Sequence, residues 1–132
     1  MKVTGGCHCG AIRYAAEVDP ATSAICHCND CQKLSGSAWR GIVRTRAEDF
    51  RLTGEPRVYL KIAENGARRG QAFCADCGSS LYAFTPPDPE VISLRIGSVD
   101  QRADLPPQRQ IWCDSALPWA LDLTTLPATP RQ

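Results

Sequence analysis

Cys7-His8-Cys9-Gly10, near the start of the chain, has a counterpart in Cys74-Ala75-Asp76-Cys77-Gly78, about 65 residues later. In extended chain, residues two apart face the same side, so Cys7 and Cys9 can share a metal while His8 points away. A Cys-x-x-Cys-Gly run turns instead as a knuckle. Its backbone N–H groups aim at the sulfurs, and its glycine permits the positive φ that follows. Four thiolates converging from the two runs close a tetrahedral Zn²⁺ with no open position, which makes the expected role structural. Two unrelated pairs of buried thiols are the alternative, but two chelate spacings, each followed by glycine, favour the shared metal. A thioredoxin-like redox pair at Cys74 and Cys77 lacks the βαβ context it needs. The consequence for the fold is a staple between an N-terminal strand and a later hairpin.

The pattern around these runs is that of short strands. Residues 11–18 alternate as a strand does and stop at Asp19-Pro20. Residues 39–44 form a second candidate, and residues 50–52 and 58–62 flank the turn signal Thr53-Gly54-Glu55-Pro56. Asn65-Gly66 turns the chain into residues 70–73. Residues 80–84 and 91–96 complete the set. Residues 30–34 read as a helical turn, and a short helix is expected near Gln101. Eight of the ten prolines follow residue 85, so the last third is expected to be loops and extended segments. The sequence predicts a mainly β fold in one domain, residues 1–123, with a mobile tail over 124–132.

Composition narrows the function. With 132 residues the chain suits one domain, and 43% hydrophobic with 22% charged residues is ordinary for a globular fold. A net charge of +1 gives no footprint for nucleic acid or for an anionic membrane. No apolar run nears the ~20 residues that cross a bilayer, and the N-terminus lacks the pattern of a signal peptide. The expected location is therefore the cytoplasm, where thiols stay reduced and clustered cysteines, seven of the eight, read as metal ligands rather than disulfides. At 7% aromatic residues, a thin core gives a metal staple added value.

Cys26-His27-Cys28-Asn29-Asp30-Cys31 puts three more thiols within six residues. Cys26 and Cys28 can share a face, and Cys28-x-x-Cys31 can turn as a knuckle, so Cys26, Cys28 and Cys31 can chelate a second Zn²⁺. Three protein ligands leave a fourth position for water or substrate, the arrangement of zinc sites that do chemistry. His27, Asp30 or Cys113 closing the site would make it a second staple instead. Cys113 is the strongest rival, because it is soft and otherwise unassigned.

Taken together, Gly6-Cys7-His8-Cys9-Gly10, Cys26-His27-Cys28-x-x-Cys31-x-x-Leu34-Ser35-Gly36, Phe73-Cys74-x-x-Cys77-Gly78-x-x-Leu81 and Pro118-Trp119 resemble the glutathione-dependent formaldehyde-activating enzyme family. That family includes the domain of centromere protein V. The resemblance implies a β-tent of antiparallel sheets and two zinc ions. Cys7, Cys9, Cys74 and Cys77 match its structural ligands, while Cys26, Cys28 and Cys31 match those of a catalytic, more labile zinc. The implied activity is a carbon–sulfur lyase type, joining glutathione and formaldehyde reversibly as S-hydroxymethylglutathione. The chain departs from the pattern at Gln110-Ile111-Trp112-Cys113, where relatives carry His-Ile. Arg40, Arg44, Arg68 and Arg69 are candidates to hold a glutathione carboxylate, and Trp39 and Trp112 to wall a pocket. The alternative function is a non-enzymatic zinc module for protein interaction or zinc buffering, with both sites structural.

Overall fold

A computed structural model describes residues 1–63 and 65–131. Among them, eight strands join one mainly antiparallel sheet: β1 (Lys2–Gly6), β2 (Arg13–Cys26), β3 (Arg40–Thr53), β4 (Arg57–Ile62), β5 (Arg68–Phe73), β6 (Ser80–Phe84), β7 (Val91–Arg95) and β8 (Arg109–Ile111). Their order is β1-β2-β3-β7-β6-β5-β4, with β8 added parallel to the end of β2. One short helix, α1 (Asn29–Ser35), and a few single 3₁₀ turns complete the fold. The expected mainly β architecture is the observed one. The expected helix near Gln101 is the single turn Arg102–Asp104, and Gln132, at the end of the expected tail, lies outside the described residues.

The strand expected to stop at Asp19-Pro20 runs on to Cys26. Its pairing with β3 jumps from Asp19↔Arg44 to Ala24↔Ile42, so residues 20–23 loop out as a bulge. Proline has no N–H for a ladder, and a bulge is where a strand tolerates it. Local side chains replace the missing bonds. The Ala21 N–H donates to Asp19 Oδ1 at 3.0 Å, Thr22 Oγ1 to the Asp19 carbonyl at 2.6 Å, and the Arg44 N–H to Thr22 Oγ1 at 2.9 Å. Likewise, the stretches expected at 39–44 and 50–52 belong, from Arg40 on, to one long strand, β3, rather than to two.

Side-chain alternation then separates two faces. Val43, Leu94, Tyr82 and Ala72 are successive cross-strand partners over β3, β7, β6 and β5. All four are buried and form the core with Val3, Tyr14 and Val18. Fully burying a side chain such as Leu94 stabilises the fold by about 1.5–3 kcal/mol. The next register row, Arg44, Ser93, Ala83 and Gln71, lies on the opposite face and lines a cavity. A period of two thus gives the same four strands a core side and a site side.

Candidate functional site

The first thiol group forms from two tight turns of different size, and the one over residues 7–10 stands where the sequence predicted extended chain. After β1, the Gly10 N–H donates to the Cys7 carbonyl at 3.2 Å; between β5 and β6, the Gly78 N–H donates to the Cys74 carbonyl at 2.9 Å. Gly10 and Gly78 take φ of 83° and 73°, the left-handed region that a side chain disfavours. These turns bring the sulfurs of Cys7, Cys9, Cys74 and Cys77 within 4.8 Å of one another. Cys7 and Cys9 Sγ are 3.5 Å apart, and Cys9 and Cys74 Sγ 3.7 Å. Ligands of a tetrahedral Zn²⁺ at ~2.3 Å sit about 3.8 Å apart, so this group fits the metal. The Ile12 N–H donates to Cys7 Sγ at 3.2 Å. Ser79 holds the Cys77 thiol down, to about 5, through its hydroxyl and its backbone N–H. His8 stays outside the group and exposed.

The second group sits where β2 runs into α1. Cys26 is the last residue of β2, opposite Arg40 of β3. Cys28 caps α1, accepting the Cys31 N–H on Sγ at 3.2 Å, which settles both thiols in the first turn. Cys26, Cys28 and Cys31 lie within 4.8 Å of one another. The Cys31 side chain and the Cys28 N–H, with Arg40 beyond, draw the Cys26 thiol down to about 5. Cys31 is pushed up by that same contact with Cys26 and by burial. Three sulfurs crowded within 4.8 Å of one another are a donor set suited to a soft cation such as Zn²⁺.

Among the described residues, no fourth ligating side chain joins this group. His27 is buried and turned away, its Nε2 2.8 Å from Gln110 Oε1. Cys113 is exposed and belongs to neither group, and Asp30 pairs with Lys61. The three thiols open onto a cavity of about 640 Å³, within the range of small-molecule sites.

Five cationic side chains line the cavity: Arg40, Arg44, Lys61, Arg69 and Arg95. Arg68, expected as a carboxylate holder, is not among them, and neither Trp39 nor Trp112 walls the space. Trp112 is instead 62% exposed. Sequence reasoning missed Arg95 and Gln71. Arg40 Nη1 and Arg95 Nη2 both donate to Gln71 Oε1, at 3.2 and 2.6 Å. Burial, and then the neighbouring Arg40 charge, push the Arg95 guanidinium down to about 9. The available signal was the charged residue ending the apolar, alternating run Val91-Ile92-Ser93-Leu94-Arg95.

A family model described as glutathione-dependent formaldehyde-activating enzyme matches residues 2–115. A Halomonas elongata protein named "Putative glutathione-dependent formaldehyde-activating enzyme" is 28% identical over 114 residues, covering 83% of this chain and 73% of its own length. A crystal structure of a Rhodobacter sphaeroides protein superposes with a TM-score of 0.62 at 20% identity, over 81% of this chain and 98% of that one. That likeness concerns the fold alone.

Proposed function

The chain belongs to the glutathione-dependent formaldehyde-activating enzyme family, and on that premise we propose that it is a zinc-dependent carbon–sulfur lyase acting on a small thiol and an aldehyde. Glutathione and formaldehyde are the first pair to consider, with S-hydroxymethylglutathione as the adduct formed or broken. In this reading Cys7, Cys9, Cys74 and Cys77 hold a structural Zn²⁺, and Cys26, Cys28 and Cys31 hold a catalytic one. The observation that carries it is the three-thiol group, without a fourth ligating side chain among the described residues, facing the cavity.

Zn²⁺ held there supplies positive charge that keeps an incoming thiol deprotonated at neutral pH, where a free thiol of pKa ~8.5 is mostly protonated. The thiolate sulfur then attacks the aldehyde carbon. A carbon–sulfur bond forms, the carbonyl π electrons move to oxygen, and that oxygen takes a proton from solvent. The reverse order releases aldehyde and thiolate, so no redox partner is required. The chain's own part is to present the three sulfurs at fixed spacing through the end of β2 and the cap of α1. Five cationic against three acidic side chains (Asp30, Asp88 and Glu90) leave the cavity lining net positive, which favours thiols that also carry negative charge.

The test uses zinc-loaded protein with glutathione and formaldehyde, following exchange between free and adduct ¹³C-formaldehyde signals by NMR. Wild-type protein should speed the exchange. Cys28→Ser should remove that acceleration while the protein stays folded and keeps one metal. Unfolding of Cys28→Ser would mark the second group as a staple. No acceleration by fully loaded wild type, with any thiol–aldehyde pair, would favour a non-enzymatic zinc module.

A further inference from the structure

Arg40 and Arg95 are 4% and 7% exposed, yet neither has a carboxylate partner among the described residues. A guanidinium carries five N–H donors in a rigid fork. Arg40 Nη1 and Arg95 Nη2 both donate to the one oxygen of Gln71, a neutral acceptor. Arg40 Nε, Arg40 Nη2 and Arg95 Nε are buried without any partner. Buried charges are ordinarily paired, and buried donors ordinarily bonded, so two cations around one amide oxygen form an unfinished arrangement.

The fold also fixes where these cations stand. Arg40 is directly opposite Cys26 on neighbouring strands. Arg95 is opposite Ile42, which lies two residues along β3 from Arg40 and so on the same face. Both line the cavity onto which Cys26, Cys28 and Cys31 open. Three thiolates around one Zn²⁺ keep a single net negative charge, which offsets one guanidinium and leaves the other.

We propose that Arg40 and Arg95, joined through Gln71, form a carboxylate-binding subsite beside the three thiols, so that the substrate thiol carries a carboxylate. This rests on the reading of the three-thiol group as a thiol-binding centre. Cys26, Arg40 and Arg95 come from three adjacent strands, so the sulfur and the carboxylate are separated by one to two strand spacings, about 5–10 Å. The planar forks suit a carboxylate, which can accept two N–H bonds in parallel. Gln71 holds the two cations together, so little reorganisation is left for binding.

The test compares 3-mercaptopropionate with its uncharged analogue 3-mercaptopropanamide, and with propionate, which has no thiol. Each is titrated into zinc-loaded wild type and into Arg95→Gln by calorimetry, while the arginine Nε–H signals are followed by NMR. The acid should bind wild type about tenfold or more tightly than the amide, a preference that shrinks to about threefold or less in Arg95→Gln. Equal binding of acid and amide to wild type would overturn the subsite while leaving the thiol centre standing. If neither thiol binds, the thiol centre fails and propionate decides the subsite alone. Movement of the Arg40 and Arg95 Nε–H signals would support it, and their indifference would overturn it. If Arg95→Gln does not fold, acid against amide on wild type still decides the subsite, together with those Nε–H signals.

Discussion

At the scale of single residues, His27 and Gln110 explain how the three thiols keep their aim. His27 sits between two of the proposed ligands and turns into the protein, 1% exposed. Its Nε2 meets Gln110 Oε1 at 2.8 Å, while its Nδ1 has no partner. Gln32 Nε2 donates to the His27 carbonyl at 2.8 Å and to the Ser115 carbonyl at 2.9 Å, tying the same residue to α1. Gln110 therefore has a definite task as the polar partner of a buried ring. Gln110→Leu leaves that ring unsatisfied and should cost about 1–3 kcal/mol. The melting temperature should fall by roughly 3–10 °C. Metal stoichiometry should stay unchanged at first, with faster exchange of the metal at Cys26, Cys28 and Cys31. An unchanged melting temperature would show that water serves His27 equally well.

At the scale of elements, the turn between β3 and β4 gives the sharpest expectation. Gly54 takes a φ of 90°, and a Cβ there would lie 2.5 Å from the Ala11 carbonyl oxygen. Positive φ costs an L-residue roughly 1–2 kcal/mol, and a clash with backbone cannot be relieved by a rotamer change. Gly54→Ala should therefore destabilise the protein by about 2–4 kcal/mol, read as a lower urea midpoint at unchanged slope. That turn was legible in the sequence, as were β5 to β7, because alternation and turn residues mark them locally. What misled was equally physical. Asp19-Pro20 reads as a strand end, yet the Asp19 and Thr22 bonds let β2 continue through a bulge. Lys2–Gly6 and Arg109–Ile111 are strands only because β2 offers an edge on which to pair; the two glycines of β1 would not suggest one. The cysteines could be read from spacing alone, whereas Arg95 and Gln71 could not. Their contact depends on a strand order that takes β3 to β7 before β6 and β5.

Across the whole molecule, the first thiol group holds together parts of the sheet that pairing alone would keep distant. Counting along the strand order, β2, β3, β7 and β6 lie between β1 and β5. In a flat sheet that is about 24 Å at 4.8 Å per strand. The sulfurs that follow β1 and β5 nevertheless lie within 4.8 Å of one another, so the sheet must curl over its core until its wings meet. A metal there resists the opening of the whole curl, and binding energy at a structural zinc counts directly as folding energy. The second group joins only neighbouring pieces, the end of β2 and the start of α1, so a metal held there would add little to global stability. A chromogenic chelator, followed together with far-UV circular dichroism, should therefore see two stages. One metal should leave early with the β signal intact, and the second should leave together with cooperative unfolding. Cys9→Ser should move the protein straight to the unstable stage, whereas Cys28→Ser should abolish only the early one. If the early metal also carried the fold with it, the group at Cys26, Cys28 and Cys31 would be a second staple, and its open side would need another explanation.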